Sequence, residues 1–220
     1  LNKSVKTSEL FECTVPYLED FFSSFEYPWQ MLPQIKGLIS KIIEKGIDGY
    51  TLISDDILVG KFVKIDKAAT IIGPAIIGDN TEIRPCAYIR GNFICGRNCV
   101  LGNSSEFKNC ILLDNVQAPH YNYIGDSILG FHAHMGAGSI CSNLKSDGKN
   151  VIIHGETEIE TGLRKIGAFL GDNAEIGCGC VLNPGTVIGK NTSVYPLTSV
   201  RGVVPMNSIV KSQAEIVDKI

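Results

Sequence analysis

The chain has 220 residues, 44% of them hydrophobic and 20% charged, with a formal net charge of −3. Such a balance suits a soluble globular protein with one continuous core, or two small ones, and the lack of any Lys/Arg block argues against nucleic acid or an anionic membrane as the main partner. No run of about 18 apolar residues and no basic-then-apolar leader is present, so neither a membrane span nor a signal peptide is indicated, and a cytoplasmic protein of small-molecule chemistry or protein partners is expected.

Residues 1–56 read as a helical cap segment. The stretch "YLEDFFSSFEYPW" predicts a short helix ending near Pro28. In "PQIKGLISKIIEKG", Ile35, Leu38, Ile39, Ile42 and Ile43 fall at i, i+3, i+4, i+7 and i+8, and Gly46 stands where a helix terminus needs no Cβ. An amphipathic helix is predicted there.

From residue 57 the period becomes six. Val59, Ile65, Ile71, Ile77, Ile83, Ile89, Cys95, Leu101, Phe107 and Leu113 form one ladder, and Leu170, Ile176, Leu182, Ile188, Val194 and Val200 a second. Seven of these 16 positions precede a glycine, where 23 glycines in 220 residues would place fewer than two by chance. A six-residue repeat with one aliphatic per repeat predicts a parallel β-helix over 57–205, of roughly seven coils, with each aliphatic pointing into a triangular core and the following glycine easing the corner. Three hexads make a coil, so residues 18 apart should stack about 4.8 Å apart. The helices of the first 50 residues would cover the open end of that core and its strand edge.

Between the ladders lies "SNLKSDGKNVIIHGETEIETGLRK", residues 142–165, too long and polar for a hexad. It is expected to project as a loop, with a short hairpin in "VIIHGETEIE" and His154 as a solvated side chain. Residues 206–220, with "SQAEIVDKI", read as a tail or short capping helix. The eight cysteines sit mostly within the apolar rhythm and lack zinc-site spacing, so they read as buried thiols. No tightly bound metal is expected.

The stacking rule finds the candidate chemistry. Arg90 and Lys108 are 18 apart and each follows an inward residue, which predicts two cations on neighbouring rungs of one outer face, needing an anion. Glu106 flanks the same inward Phe107 and is placed to hold a nearby imidazole in one tautomer. The beat falters after Leu112 and Leu113, and Pro119 bends the chain. His120 is thereby predicted to leave the core and reach the face of Glu106 and Lys108 as a base.

The segment "YIRGNFICGRNCVLGNSSEFKNCILLDNVQAPHYNYIGDSILGFHAHMGAGSICSNLKSDGKN", above all "EFKN", "PHYNYIGD" and "MGAGSICSN", resembles the acetyltransferase half of the bifunctional glucosamine-1-phosphate acetyltransferase and UDP-N-acetylglucosamine pyrophosphorylase family. The resemblance implies a left-handed hexapeptide β-helix that works as a homotrimer, with sites in clefts between subunits, moving an acetyl group from acetyl-CoA to an amino-sugar phosphate in nucleotide-sugar synthesis. It also implies that Arg90, Lys108, Tyr123 and Lys149 contact the sugar phosphate, that His120 deprotonates the amine and that Glu106 orients it. Asn143 would lie near the acetyl donor and the backbone of Ala137 would meet the pantetheine arm.

Two departures stand out. His134 replaces an asparagine that contacts the sugar, and Asp172 is read at the place of a small serine beside coenzyme A. The nucleotidyltransferase half cannot fit in the roughly 50 residues before the hexads, so uridylyl transfer is not expected, and a separate nucleotidyltransferase is a candidate partner. Two other readings compete. A β-helix that only oligomerises with or regulates such a partner would bind no coenzyme A. A γ-class carbonic anhydrase would use His132 and His134 of "HAHMGAG", two apart on a strand, as zinc ligands, but no histidine precedes His120 to complete its set.

Overall fold

The computed structural model describes residues 5–212 and 215–218. Its strands make three large sheets, of nine, seven and nine strands, and one two-stranded sheet; successive coils contribute one parallel strand to each large sheet, and each nine-stranded sheet gains one antiparallel strand at an edge. The first face runs from Ile57–Val59 to Val203–Val204, the second from Lys64–Ile65 to Ser208–Ser212, and the third from Thr70–Ile72 to Ser199–Val200. The ladder aliphatics fill the interior: Ile77, Ile89, Cys95, Leu101, Phe107, Leu182 and Ile188 have no accessible surface. All eight cysteines are free thiols; Cys95, Cys99, Cys110, Cys141 and Cys180 are buried, whereas Cys86 and Cys178 are exposed.

The coils begin at the expected 18 residues, with Ala75 beside Phe93 and Ile71 beside Ile89. The count then drops to 17: Phe93 pairs with Cys110, Glu106 with Tyr123, and Gln117 with His134. One residue is lost in each of two successive coils: inward Leu112 follows inward Phe107 by five, and inward Leu129 follows inward Ile124 by five. Leu113, expected on the inward ladder, instead faces outward and is buried beneath the N-terminal segment. The first slip therefore precedes Leu113.

The corner glycines act differently from the expectation too. Gly78 and Gly96 are not in the left-handed region; a Cβ on Gly78 would stand 2.2 Å from the Gly96 carbonyl oxygen, so what they permit is close approach of adjacent coils. The left-handed turn comes two residues later, at Asn80, Asn98, Asn115, Asn173, Asn191 and Asn207, with φ between 55° and 63°. Asparagine tolerates that region because its short side chain bonds locally. Here those side chains also bond one another between coils, Asn98 to Asn115 and Asn173 to Asn191 at 3.1 Å.

The N-terminal segment forms the predicted helix Ile35–Lys45, ended by Gly46 at φ 73°, and a shorter helix Glu19–Ser23 entered through a 3-10 turn. It does not cover the open end of the core. First-face strands carry apolar residues on both sides, and Leu58, Ile76, Ile94, Ile111, Ile128, Phe169, Val187 and Val203 point outward into a second core with Leu18, Trp29, Ile35 and Ile39. A sheet hydrophobic on both faces must be covered on both, so the segment lies along the length of the first face. Trp29 meets Phe169 there, ring centroids 6.1 Å apart. Two buried aspartates fix its path. Asp114 accepts a hydrogen bond from Thr14 Oγ1 at 2.9 Å, and Asp172 from the Glu12 backbone N–H at 2.8 Å.

Antiparallel strands, not helices, occupy the edges: Thr51–Ser54 pairs with Ile57–Val59, and Glu215–Asp218 with Ser208–Ser212. The second pairing replaces the tail or helix expected at the C-terminus; Gln213, Ala214, Lys219 and Ile220 lie outside the described residues. The insertion contains its hairpin, Ile152–His154 against Glu158–Glu160, with His154 exposed and paired to Glu158 at 3.1 Å. It folds back rather than projecting freely, since Val151 and Ile153 join the second core at 1% and 0% exposure. Among the described residues no helix is long and apolar enough to cross a membrane.

Candidate functional site

The third face carries the expected ladder. Tyr88 pairs with Glu106 and Ile89 with Phe107, which sets Arg90 and Lys108 on adjacent rungs as the 18-residue spacing predicts. They are not two uncompensated cations. Arg90 Nη1 donates to Glu106 Oε1 at 2.5 Å, its guanidinium stands 5.8 Å from the Tyr88 ring centroid, and the Glu106 hydrogen bond and charge raise its pKa above the ordinary value. Lys108 is half-buried, and among the described residues no carboxylate lies within ion-pair distance of it. The first slip leaves Gly125 opposite Lys108 on the next rung, and the space a side chain would fill there is taken by the Tyr123 hydroxyl, 2.5 Å from where a Cβ on Gly125 would stand.

His120 closes the second-face strand Gln117–His120 at the corner leading to the third face. Its backbone is held from both sides: its N–H donates to Asn122 Oδ1 at 3.1 Å and its carbonyl accepts from the Gly138 N–H at 3.0 Å. Asn122 is buried and donates to the Gly136 carbonyl at 2.8 Å, which pins the corner. Pro119 rests on Gly102, where a Cβ would stand 1.9 Å from the Pro119 carbonyl carbon. The imidazole is exposed and bonds to no other described residue. The expected Glu106–His120 hydrogen bond is therefore not made, because Arg90 on the neighbouring rung takes the carboxylate.

Tyr123 follows Glu106 on the third face, and its hydroxyl accepts from Asn143 Nδ2 at 3.1 Å. Asn143 also donates to Asp126 Oδ2 at 2.6 Å, and Asn109 to Asp126 Oδ1 at 2.8 Å. Burial first, then the Asp126 and Glu106 charges, push the Tyr123 phenol upward and keep it a neutral donor. Two residues assigned to different ligands by resemblance thus share one network, organised by Asp126, which sequence reasoning passed over. Lys149 lies exposed in the insertion, with its backbone N–H on Asp147 Oδ1 at 3.0 Å.

Register fixes which residues stack beyond His120. With Gln117 opposite His134 and His134 opposite Glu175, the rungs after His120 carry Ala137 and then Cys178; the Gly179 N–H donates to the Ala137 carbonyl at 2.8 Å. Ala137 and Cys178 are both exposed. Asp172, read from sequence as the residue beside coenzyme A, sits at a different corner, between the first and second faces. It is 4% exposed, and its carboxylate accepts from the Phe131 and Glu12 N–H groups and pairs with Lys190 at 2.8 Å. The residue on the His120 column at that level is Cys178, not Asp172.

His134 stands on the second face, where its Nδ1 bonds Glu175 Oε1. With Asn115, Gln117 and His132 they line a cleft of about 240 Å³. His132 occupies the left-handed corner, φ 60°, which asparagines hold in neighbouring coils. Glu175 was missed because its pairing with His134 spans 41 residues across the insertion. Among the described residues no group of three or more His, Cys, Asp or Glu is arranged to hold a metal ion.

Fold and repeat together define a hexapeptide-repeat parallel β-helix. A family model described as GMPPB C-terminal domain matches residues 71–163. The chain is 32% identical over 203 residues to the bifunctional protein GlmU of Methanococcus maripaludis, covering 91% of this chain and 49% of that protein. It is 27% identical over 183 residues to a bifunctional sugar-1-phosphate nucleotidylyltransferase/acetyltransferase of Sulfurisphaera tokodaii, covering 81% and 46%. The chain thus spans about half the length of these relatives. Among solved structures, a mutant of AntD, an N-acyltransferase from Bacillus cereus in complex with dTDP-4-amino-4,6-dideoxyglucose and coenzyme A, matches with TM-score 0.44 and 16% identity, over 74% of this chain and 86% of that one.

Proposed function

We propose that this chain is an acetyl-CoA-dependent N-acetyltransferase whose acceptor is the amine of a phosphorylated amino sugar. The observation that carries the reading is the corner at His120: an exposed imidazole, unbonded to any other described side chain, on one column with Ala137 and Cys178 and beside the face that holds Lys108. The resemblance noted from sequence and the curated relatives' names support the chemistry.

In this reading the sugar amine attacks the thioester carbonyl, the carbon–sulfur bond breaks, and coenzyme A departs as the thiolate. His120 takes the proton that the amine loses and hands it to the departing sulfur, so that coenzyme A is released as the thiol. Lys108 carries the sugar phosphate. Arg90 assists by turning from Glu106, so Glu106 works as a counter-ion that keeps the guanidinium over the third face and not as the orienter of His120. The pantetheine arm runs along the Ala137–Cys178 column. One β-helix face is flat, and a concave site needs a second wall, for which a homotrimer is the natural source.

The test is thiol release from acetyl-CoA with a panel of amino-sugar phosphates and nucleotide-linked amino sugars. Release with a phosphorylated acceptor, and far less with its neutral counterpart, is expected. A trimer with no release on any acceptor would sink the reading in favour of a non-catalytic partner of a sugar nucleotidyltransferase.

A further inference from the structure

The insertion enters after Cys141, and strands one coil apart across it are 41 residues apart where the preceding coil needs 17, so about two dozen residues are added at one corner between the third and first faces. They do not hang in solvent. Val151 packs over Gly185, a φ 80° glycine where a Cβ would stand 2.6 Å from Val151 Cγ1, and a Cβ on Gly202, also at φ 80°, would stand 3.3 Å from the His154 carbonyl oxygen. Seated thus, the insertion and the corner beneath it enclose a polar cavity of about 360 Å³.

Its basic groups come from two separate parts of the chain. Lys145 and His154 lie on the insertion, and Arg201 on the corner two coils further on. Arg201 has one long hydrogen bond, 3.5 Å to Asn183 Oδ1, and among the described residues no carboxylate within ion-pair distance. Lys145 meets Asp147 at 3.3 Å. Asp147 is the single carboxylate in the wall, its pKa held below the ordinary value chiefly by the Lys149 N–H. His154 bonds Glu158, outside the wall, through Nδ1 and keeps Nε2 available. Ser142 and Ser146 add hydroxyls that bond no other described residue. Two permanent cations, an imidazole and two hydroxyls against one carboxylate leave the cavity short of an anion.

We propose that this cavity binds a phosphate monoester, with Arg201 as the principal charge contact and Lys145 and the serine hydroxyls completing it. A guanidinium fork suits phosphate oxygens, and charge-assisted hydrogen bonds are the strong ones in a partly enclosed site. The volume exceeds a free phosphate ion and admits part of the group that carries it. The site is separate from the His120 corner, and its binding requires no acyl transfer.

Titration calorimetry on the whole chain with inorganic phosphate and with adenosine 3′,5′-bisphosphate tests it. Arg201→Ala should weaken both probes roughly tenfold or more, Lys145→Ala less, and Arg201→Lys should recover part of the loss. The remote Lys36→Ala should bind like the parent chain. Tighter binding of the bisphosphate than of phosphate would assign the ligand to a nucleotide, and equal binding to a small phosphate ester. Saturable binding that Arg201→Ala leaves unchanged, in a variant melting like the parent, would overturn the proposal, as would no saturable binding of either probe.

Discussion

The first and third faces are built from the same repeat and meet opposite fates. Strands of the first face, such as "AII", "FIC" and "AFL", are apolar at all three positions, and their outward residues are sealed under the N-terminal segment. Strands of the third face, "YIR" and "EFK", keep only the central residue apolar and hold their charges in the open. One face is packed and the other stays exposed. The lesson is that in a β-helix the two residues flanking each inward position, not the ladder itself, decide whether a face is structure or site.

The comparison can be broken most severely at the open corner. His120→Ala should lower kcat on the true acceptor by roughly 10² to 10⁴ while leaving the melting temperature nearly unchanged, since an exposed imidazole buries little. Unfolding of that variant would move His120 to the structural side, and full turnover would give the base role to another group. On the covered face the reverse is expected. Phe169→Ala should cost about 3–5 kcal/mol in denaturant unfolding, because it removes a ring with no accessible surface from the joint with Trp29. A loss below about 1 kcal/mol would mean that the segment is not held by this core.

Asp172 sharpens the contrast between a buried clamp and a ligand contact. Asp172→Ala strands the Lys190 ammonium and two backbone N–H groups and should cost about 2–3 kcal/mol, less than a fully buried pair because Lys190 is 26% exposed. Its apparent affinity for acetyl-CoA should stay within about twofold; a large affinity loss with normal stability would restore the coenzyme role first read from sequence.

Thiol chemistry gives the mildest test. Burial pushes Cys13, under the covered face, up to about 11, and Cys141, in the core, up to about 12. At pH 8 iodoacetamide should label exposed Cys86 and Cys178 and spare these two. The sign for stability follows: an acid whose folded pKa is raised stays protonated while the unfolded thiol ionises, so the fold loses stability as pH rises above the unfolded value near 8.5, toward 11–12. A stability constant across that range would contradict their burial. Acetyl-CoA should slow labelling of Cys178 but not Cys86 if the donor lies on the Ala137–Cys178 column.

Much of this was legible along the chain. The aliphatic beat gave the β-helix, its core residues and the Arg90–Lys108 stacking, because a period of six repeats the same local geometry and contact follows from counting. The helix Ile35–Lys45 and the hairpin of the insertion were equally local. What counting cannot reach is whatever depends on a register change or on two distant segments meeting. One residue lost between Phe107 and Leu112, and a second between Ile124 and Leu129, moved the later rungs. The first turned Leu113 outward, and the second, with the insertion, set Cys178, not Asp172, on the column of His120. Only the tertiary structure decided that Glu106 serves Arg90, that Asp114 and Asp172 hold the N-terminal segment, and that this segment lies along the first face rather than over an end. Hydrogen bonds and buried apolar area reward whichever partner is nearest in space, and for residues 100 to 160 positions apart sequence order says nothing about that distance.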